Sequence, residues 1–344
     1  MFPFLGKLPF GASATRVQAS PNYREGSFQN QVPTHLMMGP SKLYDTLRRM
    51  ATTPERSPKV ALPSIKPDYK AFVQMDQALI WYGHSSYLMR YASKTWLIDP
   101  VFSGSASPMP GTVKQFKGLD IVSVQDLPSI DYLLLTHDHY DHLDYSTVKQ
   151  LIPIVGHIIC PLGVDAHLLS WGATEAKLTV LDWYDSVELE TVTLTATPAR
   201  HFSGRTTKRN QSLWASYVLE RKEDKTRIFV GGDSGFGPHF EAIAKRFAPF
   251  NLAIMECGQY DTNWQQIHAY PEDSAKGASI LQAKVVLPVH WAKFALSLHS
   301  WKEPITRFLS EASRLDLNVA TPLLGQAFDW QANAIPNEHW WRNY

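Results

Sequence analysis

Two β-sheets packed face to face with helices outside them, a mixed α/β architecture, is the fold class this sequence predicts. Three observations lead there. Short apolar runs rich in β-branched and aromatic residues crowd two separate stretches, and each stretch then passes into mixed strand-like and helix-like segments. The composition can fill a large core, since 44% of the 344 residues are hydrophobic and 19% are charged. Finally, a dense cluster of histidines and carboxylates follows one apolar run directly, at the position where a buried strand would open onto a sheet edge.

In chain order, residues 1–70 are rich in Pro, Ser, Gly and Arg with little clean periodicity. They read as an N-terminal extension wrapping a core domain formed by residues 71–344. A short helix could form over 43–50, before Pro54, Pro58, Pro63 and Pro67 punctuate the chain. Strands are expected over 78–82, 86–91 and 95–98, then over 131–135, a buried run feeding the cluster. The series continues over 157–160, 179–181, 187–189 and 192–197, with 213–219 and 227–230 reading as a pair. A helix over about 238–247 precedes a strand over 252–255. Pro271 with Glu272 and Asp273 suits a first helical turn, because proline lacks an N–H that is unused there and acids complement the helix dipole. That helix runs to about Gln282, before a strand over 285–289 and a last amphipathic helix over 302–314. No internal repeat is visible.

Charge and cysteine usage narrow the function classes. A formal net charge of +1 offers no electrostatic argument for nucleic acid or an anionic surface. No apolar run approaches the roughly 20 residues needed to cross a bilayer. The start, Met1 to Lys7, lacks a basic segment followed by a sustained apolar core, so no signal peptide is expected. Cys160 and Cys257 lie far apart, each beside apolar strand-like residues. Buried structural thiols in a reducing cytoplasm are the expectation.

The cluster itself is Thr136-His137-Asp138-His139-Tyr140-Asp141-His142, placed after Tyr132-Leu133-Leu134-Leu135. A strand end followed by a tight turn can aim several side chains at one point, as a transition-metal centre requires. Protonated histidines so close would repel one another, and neutral rings sharing a cation avoid that. A solvated polar loop with chance histidines is the bland alternative. Further ligand-type residues stand after apolar, β-rich runs: His201, Asp233 after Gly231-Gly232, and His290. Each alone could be a capping Asp or a histidine with a backbone partner. Shared placement after strands points to one rim.

On these residues the chain resembles the metallo-β-lactamase superfamily, whose signature is HxHxDH followed by a distant His, a distant Asp and a late His. The resemblance implies a four-layered αβ/βα sandwich with a dinuclear site on one edge. It implies that His137, His139 and His201 hold one metal, that Asp141, His142 and His290 hold the second, and that Asp233 bridges them; it also makes a homodimer plausible. A narrower likeness is to the branch of N-acyl-phosphatidylethanolamine-hydrolysing phospholipase D and its bacterial relatives. It is carried by Trp81-Tyr82-Gly83-His84-Ser85-Ser86, Ile98-Asp99-Pro100-Val101-Phe102, His201-Phe202-Ser203-Gly204-Arg205, Gly258-Gln259-Tyr260, Trp264, His268 ahead of Pro271-Glu272, and 289–296. In that branch the histidine before the Pro-Glu pair sits near the scissile phosphate.

The implied chemistry is a dinuclear-metal-dependent hydrolase. Two cations can share a hydroxide, lowering the pKa of its parent water from 15.7 towards about 7. Zinc is the first expectation from the nitrogen and oxygen donors, with manganese or iron accepting the same set. Asp141 and Asp233 would anchor the second metal and orient the hydroxide. Asp138 is expected behind the ligands, fixing a ligand histidine's tautomer, or else as a solvated turn carboxylate. His84 and His268 are candidates to contact phosphate or protonate a leaving group, with a satisfied strand-turn histidine as the other reading of His84. Arg205, Lys208 and Arg209 could attract an anionic substrate or could be ordinary surface charges. Trp291, Phe294, Trp301, Trp264 and Tyr260 could line a channel, though core packing is the expectation for most.

The substrate expected is a small or lipid-like phosphodiester. A lactonase or other carboxyl-ester hydrolase is the alternative enzyme, and a non-catalytic or nucleic-acid-processing member of the same fold is the alternative of another class. Phe2, Phe4, Phe10 and Met37-Met38 could touch a membrane peripherally, or could pack on the core.

Overall fold

The computed structural model describes residues 2–36, 48–49, 52–109 and 111–344. The expected helix over 43–50 and the Met37-Met38 pair fall wholly or largely outside the described residues. The chain opens with helix α1 (Gly11–Ala19) and a hairpin of β1 (Tyr23–Arg24) and β2 (Ser27–Phe28). Helix α2 (Tyr69–Phe72) leads into the first large sheet. That sheet holds β3 (Ala78–Trp81), β4 (Tyr87–Tyr91), β5 (Lys94–Ile98), β6 (Tyr132–Leu134), β7 (His157–Pro161) and β8 (Leu178–Leu181). The late strand β15 (Ala327–Asp329) returns to pair antiparallel with β3, giving the order β15-β3-β4-β5-β6-β7-β8.

The second sheet runs β14-β13-β12-β11-β10-β9. Its strands are β9 (Ser186–Glu188), β10 (Val192–Thr197), β11 (Ser216–Arg221), β12 (Arg227–Val230), β13 (Phe250–Glu256) and β14 (Ala283–Val289). In both sheets antiparallel neighbours come first and parallel pairs follow. Parallel pairing needs a crossover, and helices supply it. Helices α3 (Tyr145–Leu151) and α4 (Val164–Ser170) link β6, β7 and β8; α5 (His239–Phe247) and α6 (Pro271–Ile280) link β12, β13 and β14. Helix α7 (Glu303–Arg314) packs beside α6. The two halves thus share a plan that no sequence repeat announces.

Period-two alternation explains the layers. Along β3, Leu79 and Trp81 join the apolar core between the sheets, while Ala78 and Ile80 join the core under the outer helices with Val148, Leu151, Val164 and Leu168. The same split sends Leu134 inward between the sheets and Leu133 and Leu135 to the helix side. Shifting β6 by one residue would exchange these faces, so register here is fixed by burial. The sheets are also tied by polar contacts: Tyr217 Oη donates to Leu135 O at 2.8 Å and Ala215 N to Thr136 O at 3.0 Å. Both ties fall where β6 gives way to the histidine cluster. Cys160 and Cys257 are buried free thiols. Among the described residues no helix is long and apolar enough to cross a membrane.

The segment before the sheets packs closely. Ser13 Oγ and Arg16 Nη2 both reach Asp165, at 3.0 and 2.7 Å. Asn30 brackets the main chain of His201, its Nδ2 donating to His201 O at 2.8 Å and its Oδ1 accepting from His201 N at 3.1 Å. Phe2 and Phe10 are exposed, at 67% and 38%.

Candidate metal centre

Parallel strands end on the same side of a sheet, and here the carboxyl ends of β6, β12, β13 and β14 carry the site. His137 to His142 follow β6, Asp233 follows β12 by three residues, Glu256 ends β13 and His290 follows β14 directly. His201 arrives from the end of β10. Two glycines permit the close approach of these ends. Gly232 has φ +60°, and a Cβ there would lie 3.1 Å from the Thr136 side chain. A Cβ on Gly258 would lie 2.1 Å from His290 O. His290 itself holds φ +69°, an unfavourable conformation for a side chain that the packing around it imposes.

All seven residues expected to bind metal come together. His137 Nε2 lies 3.0 Å from His139 Nδ1, and His201 Nε2 lies 3.1 Å from the same atom. Asp233 Oδ2 lies 3.2 Å from both His142 Nε2 and His290 Nε2, and 3.8 Å from His137 Nε2 and His201 Nε2. Asp141 Oδ2 lies 3.4 Å from His290 Nε2 and 3.6 Å from His142 Nε2. Two nitrogens on one tetrahedral zinc stand about 3.3 Å apart, so these spacings are those of donors converging on cations. The donors fall into overlapping groups: His137/His139/His201; Asp141/His142/His290 together with His84; and Asp233, which joins His137 and His142 in one group and His290, His268 and Glu256 in another.

The hydrogen bonds behind the rings decide which nitrogen is free. Thr136 Oγ1 gives its proton to Asp99 Oδ2 at 2.5 Å and lies 3.0 Å from His137 Nδ1, so it accepts from that ring and leaves Nε2 with its lone pair. His142 Nδ1 donates to Asp99 Oδ2 at 2.7 Å, and His201 Nδ1 donates to Ile267 O at 2.8 Å. In each case the Nδ1 proton is engaged behind the ring and Nε2 turns towards the shared point, the atom a ligand must offer. His142 Nε2 and Asp233 Oδ1 are buried without a hydrogen-bond partner, a costly state for atoms with no other duty. The donor set therefore fits two divalent ions.

Electrostatics agree. Burial, with the neighbouring imidazoles, holds His137 and His201 well below the ordinary histidine pKa, and burial lowers His139 as well. Burial opposes charge on Asp141 and Asp233, but the surrounding imidazoles outweigh it and hold both carboxyls well below the usual range. Burial also opposes charge on His142, yet Asp233 and Asp141 keep its pKa well above the usual value. Neutral rings at His137, His139 and His201 beside ionised carboxylates make buried ground that attracts cations, and at His142 a bound cation would take the place of the proton that Asp233 and Asp141 hold there.

Of the residues expected to act beyond the ligands, His268 lines the cleft over the centre, and its Nδ1 shares a proton with Glu256 Oε2 at 3.0 Å. His84 is placed differently. It is fully buried, its Nε2 lies 2.8 Å from Asp141 Oδ2, and it is absent from the cleft lining. Burial pushes its pKa down to about 3. His84 therefore stands behind Asp141, outside the cleft.

Asp138 corrects a second expectation. It is neither solvated nor bonded to a ligand histidine ring; its carboxylate accepts from Gly204 N at 2.7 Å, Ser212 Oγ at 2.8 Å and His167 Nε2 at 3.3 Å. Tautomer control falls instead to Asp99 and Thr136. Arg205 is buried and Lys208 exposed, and only Arg209 of the three cations lines the cleft. Trp291, Phe294, Trp301 and Tyr260 are core, whereas Trp264 lines the cleft. Glu256 was not anticipated, although it ends an apolar strand as Asp233 nearly does. It is buried at 4%, and burial, reinforced by the charge of Asp233, pushes its carboxyl well up.

An αβ/βα sandwich carrying seven clustered His and Asp side chains at one edge defines the class of metal-dependent hydrolases with a candidate metal centre. The chain belongs to the β-lactamase superfamily: residues 94–291 match the model of the Beta-lactamase superfamily domain. An uncharacterised protein of Mycobacterium tuberculosis is 34% identical over 342 residues, covering 96% of this chain and 91% of the relative. The mitochondrial N-acyl-phosphatidylethanolamine-hydrolyzing phospholipase D of Saccharomyces cerevisiae is 31% identical, over 65% of this chain and 49% of that protein. Igni18, a metallo hydrolase from Ignicoccus hospitalis, shares the fold with a TM-score of 0.57 at 16% identity, over 73% of this chain and 97% of that one. The superfamily and the branch expected from the motifs are both found.

Proposed function

We propose that the protein is a metal-dependent phosphodiesterase acting on a phospholipid-like substrate. The observation that carries this reading is the composition of the cleft over the donors. It has a volume of about 260 Å³ and mixes two kinds of lining group. Its polar groups are Arg209, His268, Asp141 and Asp233, and its apolar ones are Leu36, Phe202, Trp264, Ile267 and Leu296. An ionised phosphodiester with a hydrocarbon portion matches both, whereas a lactone gives Arg209 no fixed anion to meet. The likeness to the yeast phospholipase D supports the same choice.

Bound divalent ions supply Lewis acidity and acidify a water towards a pKa of about 7. The chain's own residues then have separable tasks. Asp141, held by His84, and Asp233, held among imidazoles, keep negative charge at the centre. His268 Nε2 makes no hydrogen bond among the described residues, leaving it for a phosphoryl or leaving-group oxygen. Arg209, lying 5.4 Å from the Phe202 ring, draws an anion to the mouth.

Zinc-loaded protein assayed on a phosphodiester panel and a lactone panel tests the reading. Phosphodiester cleavage is expected, with His268→Ala lowering kcat/KM by about 10². Turnover of lactones alone would overturn the phosphodiester choice and leave a carboxyl-ester hydrolase.

A further inference from the structure

We infer that residues 3–7 form a strap that sets the position of the metal-binding loop, acting through His167 and Arg205 as positioning residues. The inference rests on the metal reading of the site.

Three buried side chains hold the strap by its main chain. Trp171 Nε1 donates to Pro3 O at 2.8 Å, Arg205 Nη2 donates to Phe4 O at 2.6 Å, and Lys7 N donates to His167 Nδ1 at 3.0 Å. Trp171, Arg205 and His167 are 2%, 5% and 4% exposed. A loosely packed tail offers side chains to a surface; here the backbone itself satisfies polar groups that would otherwise be buried alone.

The same side chains continue to the loop. His167 Nε2 donates to Asp138 Oδ2 at 3.3 Å, and Arg205 Nη1 donates to Asp138 O at 2.8 Å and Leu143 O at 2.7 Å. Asp138 stands between the donors His137 and His139, and Leu143 follows the donor His142. The main chain beside all three donors is therefore clamped from beneath the strap. Lys7 N also fixes the chemistry of the relay. By donating to Nδ1 it leaves the His167 proton on Nε2, the tautomer that can donate to Asp138.

Gly6 makes the contact possible. It holds φ +70°, and a Cβ there would lie 2.1 Å from His167 Nδ1. Gly6→Ala therefore pushes the strap off His167 without altering any buried side chain. His167→Ala removes the relay, and the double variant removes the clash together with its partner.

The test is the rate at which zinc-loaded protein yields metal to a colorimetric chelator, read alongside the d–d spectrum of the cobalt-substituted protein and the far-UV circular dichroism. Gly6→Ala is expected to release metal about tenfold faster than the wild type, with an altered cobalt spectrum and unchanged secondary structure. His167→Ala is expected to match it, and the double variant to be no worse than His167→Ala alone. If His167→Ala does not fold, Gly6→Ala decides the matter by itself. Wild-type release rates and spectrum in Gly6→Ala, or effects of the two substitutions that simply add, would overturn the strap. A wild type that binds no zinc or cobalt would instead bring down the metal reading on which the strap depends.

Discussion

Asp233→Asn is expected to lose both metal ions and to lower hydrolysis by about 10³ or more, the scale of removing a principal electrostatic element from a buried site. The Oδ2 atom lies within 3.8 Å of the free nitrogens of His137, His142, His201 and His290, so it is the anionic oxygen common to both donor groups. Asparagine keeps the shape and removes the charge. Six remaining donors would still surround the site, but the two groups would no longer share an anion. Elemental analysis and kcat/KM on the same preparation provide the check. The metal-dependent rise in melting temperature, a consequence of binding to the folded state only, should vanish with the ions. Two retained ions and near-wild-type activity would remove Asp233 from its bridging place.

Asp99→Ala is expected to destabilise the fold and weaken metal binding together. Asp99 is 1% exposed and accepts from Thr136 N at 2.9 Å, Thr136 Oγ1 at 2.5 Å and His142 Nδ1 at 2.7 Å. Its loss orphans three buried donors, a cost of about 3 kcal/mol or more in unfolding free energy. It also frees His142 and, through Thr136, His137 to adopt the wrong tautomer, which should weaken metal affinity about 10- to 100-fold. Unfolding in the presence of a chelator separates the two effects, because the stability loss should persist there. A variant as stable as wild type in chelator, with full metal affinity, would show that Asp99 does not organise the ligands.

The seven donors are legible in the sequence because each stands at or just beyond an apolar run. Three imidazoles within six residues add to that signal, since rings so crowded are best reconciled by a cation between them. Asp99 and Glu256 also close a strand with a carboxylate, yet they stand alone in sequence and reveal their duty only in three dimensions. His84 shows the opposite failure. Its motif points to chemistry, while its burial behind Asp141 makes it a holder of that carboxylate. Asp138 shares the loop with the donors but spends its hydrogen bonds on Gly204, Ser212 and His167, contacts 29 or more residues away in sequence.

The two sheets are readable from period-two runs, down to bounds within a few residues. Helices α3 and α4 are seven residues each and too short for a helical period to emerge, and α1 begins with Gly-Ala-Ser and carries few apolar positions. Strand β15 is three residues long and exists because β3 offers it an edge. The shared plan of the two halves is one of strand direction and crossover, which needs no sequence likeness to persist.

Anomalous X-ray diffraction from zinc-soaked crystals will show whether the seven side chains hold two cations. Two ions per chain are expected, with His137, His139 and His201 on one and Asp141, His142 and His290 on the other, each at about 2.1 Å, and Asp233 touching both. Two ions bound elsewhere, or one ion with either group of three left unused, would contradict that arrangement.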